Sequence, residues 1–267
     1  MTLPSHHSLC VALQNAGIHI QAQVYPSLDS TNTQARRMIE SGEITGETPV
    51  LLLAHTQTAG RGRMGRRFHS PEASGLYFSY IYQSASNSDA PPVTPTAALA
   101  TAVAIEESTG KNPLIKWVND LYLDGKKICG ILTEAVTTPS GDIYIIVGIG
   151  INITTASFPE GLRSPAGCLL TPEDSELDLS RLVADIIRHL TDYMKDPVAA
   201  LQGYRARFML TGKTVTYAYI CAPDGGDTPE TVTGEVQGIT PDYSLLLRLD
   251  DGKILALGSG EVTSCGG

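Results

Sequence analysis

The chain has 267 residues, 42% hydrophobic and 18% charged, with 26 Gly and 16 Pro. This ordinary globular composition excludes collagen-like, coiled-coil and disordered chains and fits one large domain or a large and a small one. Its 19 basic residues against 28 acidic ones give a formal net charge of −9, the wrong sign for a protein that binds nucleic acid with its whole surface. Five cysteines (Cys10, Cys129, Cys168, Cys221 and Cys265) form no CxxC pair, which argues against a disulfide scaffold or zinc site and points to a reducing cytoplasm.

No Lys, Arg, Asp or Glu precedes Asp29, so the basic start of a signal peptide is missing. No apolar run approaches the roughly 20 residues of a membrane span. The expectation is a soluble, unprocessed protein with no membrane partner. Residues 31–41 read as a short helix with Ser30 as N-cap. Residues 50–55 read as a buried strand, 60–71 as a Gly- and Arg-rich loop, 76–82 as an aromatic strand and 84–95 as a loop. A helix is expected over 96–109, then the short strands IKWV and DLYL, the turn Asp124-Gly125 and its hairpin partner KKICGILTEA. DIYIIVGIGINI suits a central strand with Tyr144, Ile146, Gly148, Gly150 and Asn152 on one face, the two glycines leaving room for a ligand. Leu179, Leu182, Val183, Ile186, Ile187 and Leu190 recur at helical spacing, a core stripe that needs no functional reading. A second helix is expected over 197–209. From Thr211-Gly212 the pattern changes to short β runs separated by Gly, Asp and Pro, as in a small barrel or sandwich. Three basic and eight acidic residues follow position 212, which argues against a nucleic-acid module there. The expected domains are 1–211 and 212–267.

Three segments carry chemistry. In GRGRMGR, Gly60, Gly62 and Gly65 alternate with Arg61, Arg63 and Arg66. Glycine lets the backbone approach a ligand, successive N–H groups cradle an anion, and Arg adds forked donors for carboxylate or phosphate. The run matches neither the Walker A nor the dinucleotide spacing. With Arg67 it makes a small basic island in an acidic chain, suited to a nucleotide or carboxylate; the plainer alternative is a solvated basic loop. The segment KWVNDLYLDGKKICGIL sets Lys116, Asn119 and Asp120 before a strand and Lys127 after the turn. Asp120 could receive a proton or hold a metal. A strand lysine is commonly a solvated edge residue, but Lys127 leads into apolar ICGIL and, if buried, needs a negative partner. Lys126 is its rival on the opposite face. Simple alternation opposes Lys127 to Gly130, and a bulge at the glycine would bring both to one site. The segment LDSTN offers Ser30, Thr31 and Asn32 at a helix start, which alone is an N-cap; Gln57 adds a neutral donor and acceptor beside the Arg loop.

In this order and spacing DSTN, QTAGRGRMGR, KWVNDLYLDGKKICGIL and GIGIN resemble the biotin–protein ligases, closely over roughly residues 27–155 and more loosely through the later helices to the tail. The resemblance implies an α+β fold: a mixed sheet packed with helices, like the core of class II aminoacyl-tRNA synthetases, followed by a small SH3-like β-barrel. It implies a cytoplasmic ligase that uses ATP, biotin and Mg²⁺ to make biotinyl-5′-adenylate and then biotinylates a lysine of a biotin carboxyl carrier domain. Carried over by position, biotin would meet Ser30, Thr31, Asn32, Gln57, the loop Gly60, Arg61, Gly62 and Arg63, and also Lys127, Gly130 and Gly148. ATP would meet Arg61, Arg63, Arg66, Lys116, Asn119 and Asn152. Lys127, bridging the biotin carboxylate and the α-phosphate, would be catalytic together with Arg63 and Asp120, and Mg²⁺ would be held by the substrate phosphates and Asp120. Val118 stands where the family has Pro, Phe68 precedes His69 where Trp is usual, and no Trp lies near Gly167-Cys168, so the adenine contact is unassigned. Fewer than thirty residues precede DSTN, none Lys or Arg, so neither DNA binding nor repressor activity is expected. The strands around 76–82 and 126–149 offer an edge for a homodimer.

Two other readings stand beside this one. A lipoate–protein ligase or octanoyltransferase would share the architecture but favour a purely aliphatic acid, against the polar set Ser30, Thr31 and Gln57. A non-catalytic nucleotide- or RNA-binding module would use the Arg loop without ATP turnover, against the grouping of Lys127 with Asn119 and Asp120.

Overall fold

The computed structural model describes residues 2–84, 92–155, 157–162, 164–174, 176–219 and 231–265, the side chains of 264 and 265 excepted. Most of the 84–95 loop reading and Cys221 fall outside these residues. Strands β1 (Gln21–Tyr25), β2 (Val50–Ala54), β3 (Gly75–Gln83), β4 (Leu114–Lys116), β5 (Asp120–Leu123), β6 (Lys126–Thr137) and β7 (Ile143–Asn152) form a mixed sheet in the order β1-β2-β3-β7-β6-β5-β4. Only β1 and β2 run parallel. β7 is central, as its two-faced apolar pattern requires. Asp124 and Gly125 both have positive φ, 50° and 74°, the conformation of a tight two-residue hairpin, and so join β5 to β6. The helices are α1 (His6–Asn15), α2 (Thr31–Glu40), α3 (Val93–Thr109), α4 (Leu179–Lys195) and α5 (Pro197–Arg207).

The helices divide between the faces of the sheet. Leu51, Leu53, Phe78, Val147 and Ile149 join one core with α3 and the buried stripe of α4, each such side chain contributing about 1.5–3 kcal/mol. On the other face Val50, Leu52, Ile81, Val136, Tyr144 and Ile146 pack with Ala35, Met38 and Ile39 of α2. Ser30 caps α2 through Thr33 N, and Asp178 caps α4 through Arg181 N.

β8 (Thr214–Tyr219), β9 (Thr231–Ile239), β10 (Leu245–Arg248), β11 (Ile254–Leu257) and β12 (Gly260–Cys265) make a second, antiparallel sheet in the order β11-β10-β9-β8-β12. Its Tyr217 and Leu247, with Tyr243 of the turn between β9 and β10, belong to the same buried cluster as α3 and α4. Trp117 Nε1 donates to Tyr243 O at 2.8 Å, and Arg205 donates to Ile239 O at 2.8 Å.

Three expectations are corrected. α3 begins at Val93, not 96, because Pro95 falls in the first turn, where a missing N–H breaks no helical bond. α5 stops at Arg207, short of 209, where Phe208 bridges to Ile115. The strands offered as a dimer edge, β3, β6 and β7, are interior; β1 and β4 are outermost. α1 and β1 had no counterpart in the sequence reading, although Ser5 and Ser8 form a reciprocal capping box. Among the described residues no helix is long and apolar enough to cross a membrane.

Candidate active site

Register places the glycines of β7 in two rows. Gly148 lies between Ser79 of β3 and Leu132 of β6, and Gly150 between Tyr77 and Gly130. α2 packs on Tyr144 and Ile146; beyond them the face opens into a cavity of about 470 Å³, lined in part by the Arg loop. Every site residue expected from the sequence lines this cavity except Gly60. A Cβ at Gly60 would lie 2.5 Å from Phe68 O and 2.7 Å from Ser70 Oγ, so Gly60 serves the packing of the loop base.

The start of α2 is tied to its surroundings by a chain of polar groups. Ser30, Thr31 and Asn32 are each 3% exposed. Thr31 N–H donates to Gln57 Oε1 at 2.8 Å, and Gln57 Nε2 donates to Ser70 Oγ at 3.0 Å. Ser79 Oγ lies 2.7 Å from both Asn32 Oδ1 and Thr31 Oγ1. An amide oxygen only accepts, and the Thr31 hydroxyl gives its own proton to Gln57 Oε1 at 3.3 Å, so both oxygens face the single Ser79 proton. Asn32 Nδ2 donates to Leu132 O at 3.2 Å and to Glu134 Oε2 at 2.9 Å. Gly148 is the space that Asn32 fills, since a Cβ there would lie 2.1 Å from its Oδ1.

The charged groups meet across the hairpin. Between Leu121 and Tyr122 the register of β5 against β6 shifts, so that Leu121 opposes Cys129 and Tyr122 opposes Lys127. The extra residue is Ile128, two positions before the glycine named in the sequence reading. This bulge brings Lys127 onto the side of Gly130, whose Cβ would lie 3.4 Å from Lys127 Nζ. Lys127 Nζ pairs with Asp120 Oδ1 at 2.7 Å, and Asn119 Nδ2 donates to the same oxygen at 3.1 Å. Lys127 N–H and C=O also bond to Pro165 and Gly167, fixing its backbone. Lys126 is outside the lining; its Cβ would meet a side chain placed on Gly167. Asn152 Nδ2 donates to Gly167 O at 3.1 Å.

The loop is anchored at several points. Arg61 pairs with Glu134 at 3.2 Å; Arg63 donates to Asn119 Oδ1 at 3.3 Å and to Gly260 O at 3.1 Å. Arg66 pairs with Glu261 of β12, whose carboxylate raises the Arg66 pKa further. Phe68 covers the glycine floor: Cβ atoms at Gly130 and Gly150 would lie 3.2 Å and 2.6 Å from its ring. Sequence reasoning missed Ser79, Glu134 and Glu261. A serine among the aromatics of β3 was a usable signal, as was a carboxylate in step with Gly130 and Leu132 on β6. Nothing in the sequence joins Glu261 to Arg66 across 195 positions.

The model of the biotin/lipoate A/B protein ligase family matches residues 24–152. The bifunctional ligase/repressor BirA of Bacillus subtilis is 34% identical over 174 residues, 62% of this chain and 53% of that protein. BirA of Escherichia coli is 33% identical over 62% of this chain and 51% of that protein. The chain thus spans about half the length of these curated relatives. The biotin–acetyl-CoA-carboxylase ligase of Mycobacterium tuberculosis is 29% identical over 91% of this chain and 88% of that protein. The solved structure of Aquifex aeolicus biotin protein ligase in complex with biotin and ATP shares the fold, with a TM-score of 0.72 at 24% identity over 90% of this chain and 97% of that one.

Proposed function

We propose, on the premise that the chain belongs to the biotin/lipoate A/B protein ligase family, that it joins biotin to ATP as biotinyl-5′-adenylate and passes the biotinyl group to a lysine of a biotin carboxyl carrier domain. One observation carries this reading: the neutral partners Thr31 and Gln57 share a single cavity with Lys127, Arg63 and Arg66. In the first step a biotin carboxylate oxygen attacks the α-phosphorus, the bond to the β-phosphate oxygen breaks, and pyrophosphate leaves with the electron pair. Lys127, held by Asp120, is the cation that meets carboxylate and α-phosphate as they approach, and Arg61, Arg63 and Arg66 offset charge on the phosphates. Ser30, Thr31, Asn32 and Gln57 hold the ureido ring, whose buried polar edges need neutral partners. Gly62 and Gly130 give it room, Gly148 admits the Asn32 side chain that faces it, and Lys116, Asn119 and Asn152 take the nucleotide. In the second step the neutral acceptor amine attacks the acyl carbon, the bond to AMP breaks, and the amine proton leaves through Asp120. The loop keeps water from the mixed anhydride in between.

Magnesium fits as an ion carried by the nucleotide. Among the described residues no group of three or more His, Cys, Asp or Glu side chains gathers to hold a metal, and Mg²⁺ is at home on phosphates with one carboxylate, here Asp120. We read the main sheet and its helices (1–211) as a class II synthetase-like core and the second sheet (212–267) as an SH3-like barrel. We place the reaction in the cytoplasm, in keeping with the free thiols of Cys10, Cys129 and Cys168.

The test is pyrophosphate release with ATP, Mg²⁺ and biotin, with lipoate as the competing acid. The expected result is turnover with biotin alone, reduced about 10²–10³-fold in Lys127→Ala. No turnover in the wild type would reject the ligase reading; turnover intact in the variant would remove Lys127 from the centre.

A further inference from the structure

Glu134 has no place in the reaction described above, yet its carboxylate collects three donors from two segments, α2 and the Arg loop. Its side chain is 14% exposed and stands outside the cavity lining. It accepts from Asn32 Nδ2 at 2.9 Å and from Arg36 Nη2 at 3.3 Å, both on α2, and from Arg61 Nη1 of the glycine–arginine loop at 3.2 Å. A largely buried carboxylate is tolerated only when paired and hydrogen-bonded, and here the pairing cation comes in part from a loop that otherwise projects over the cavity. The other loop arginines are tied elsewhere: Arg63 to Asn119 and Gly260, Arg66 to Glu261, and Arg67 to Thr58 O. Arg61 with Glu134 is therefore the described ion pair joining this loop to the central sheet.

The same carboxylate also fixes the polar chain at the start of α2. Asn32 spends one Nδ2 proton on Leu132 O and the other on Glu134, while its Oδ1 accepts from Ser79. Turning the amide over would set its oxygen against two acceptors, Leu132 O and the Glu134 carboxylate. Glu134 thus reads out through two neighbours at once, Arg61 of the loop and Asn32 of the wall.

We propose that Glu134 is a positioning residue that latches the glycine–arginine loop shut through Arg61 while orienting Asn32, so that a bound activated acyl group is retained. The loop tether stands on geometry alone; its effect on an acyl-adenylate rests on the ligase reading. Glu134→Gln separates the two contacts, because its carboxamide oxygen still accepts from Asn32 while the charge facing Arg61 is gone.

Two readouts test the latch. In unliganded protein, trypsin cleavage after Arg63, Arg66 and Arg67, measured against cleavage elsewhere in the chain, should accelerate about fivefold in Glu134→Gln, the scale of a part-exposed charge pair. With biotin and ATP, the lifetime of enzyme-bound biotinyl-adenylate should shorten about fivefold while KM for ATP stays within about twofold. Arg36→Gln, which removes the other guanidinium, should leave both readouts within about twofold. In an Arg61→Gln background, Glu134→Gln should add little, since the two act as one unit. Wild-type loop cleavage or wild-type adenylate lifetime in Glu134→Gln would overturn the latch. So would cleavage rising evenly along the chain with a lowered Tm, which is the mark of a plain structural role. If the wild type forms no adenylate, the ligase reading fails, and loop cleavage alone decides the tether.

Discussion

Along one face of β7, Tyr144 and Ile146 lie buried beneath α2, whereas two and four residues further on Gly148 and Gly150 stand opposite Asn32 and Phe68. The backbone is the same extended strand throughout. The first half of the face is filled by large side chains of the sheet itself. The second half has no side chains of its own and is covered by groups from α2 and the Arg loop. A core packed by its own residues has one low-energy arrangement, but a floor covered by a neighbour's side chain can exchange that cover for a ligand. Substitutions in the two halves should therefore fail in different ways, the first through stability and the second through binding.

Ile146→Ala, in the filled half, should cost about 2–5 kcal/mol of stability by leaving a cavity under α2, with biotin-dependent turnover per folded molecule unchanged; denaturant unfolding alongside active-site titration checks this. A large loss of turnover at full folding would erase the distinction between the halves. Gly148→Ala, in the open half, should cost less stability, about 1–3 kcal/mol, but should weaken biotin binding severely, because the new methyl displaces the Asn32 amide; calorimetric titration with biotin reads it. Glu261→Gln lies outside both halves. It should change stability by less than about 1 kcal/mol, the pair being part-exposed, and should lower KM for ATP a few-fold by freeing Arg66 from a competing carboxylate.

The smallest effect is expected far from the face. Asp174 bonds to Lys111, just past the C-cap of α3, and that contact, followed by the Thr171 N–H, lowers its pKa from 3.8 to about 2. A depressed carboxylate stabilises the fold fully above its unfolded value and stops doing so as pH falls through the folded one. The stability gap between wild type and Asp174→Asn should therefore be constant above pH 3.8 and close toward pH 2; a gap that persists there would show that the pair is not its source.

Periodicity made much of the fold legible. The stripe of α4, the two-faced β7 and the Asp124-Gly125 turn each follow from local spacing. α1 and β1 were not, because HHSLCVALQN carries no charge pattern and QAQVY is short and polar, becoming a strand only beside β2. For the site, the motifs brought Thr31, Gln57, Lys127 and Asp120 to one cavity. Gly60 fell outside because a glycine needed for close backbone packing looks the same in sequence as one that admits a ligand. Glu134 and Glu261 act through partners 73 and 195 positions away, a pairing that only tertiary structure creates. The position of the bulge at Ile128, on which Lys127 and Gly130 both depend, likewise came from strand pairing rather than from composition.

Trp117 is the single tryptophan of the chain. It is 4% exposed, donates its indole N–H to Tyr243 in the turn between β9 and β10, lies 5.9 Å ring to ring from Tyr217, and also borders the cavity. One chromophore therefore sits at the seam of both sheets and beside the ligand space. Its emission maximum is set by how dry that seam stays, and its quantum yield by what quenches it from the cavity side. Colour and brightness become two separate optical channels in unlabelled protein, one following the docking of the C-terminal sheet and the other the arrival of a ligand.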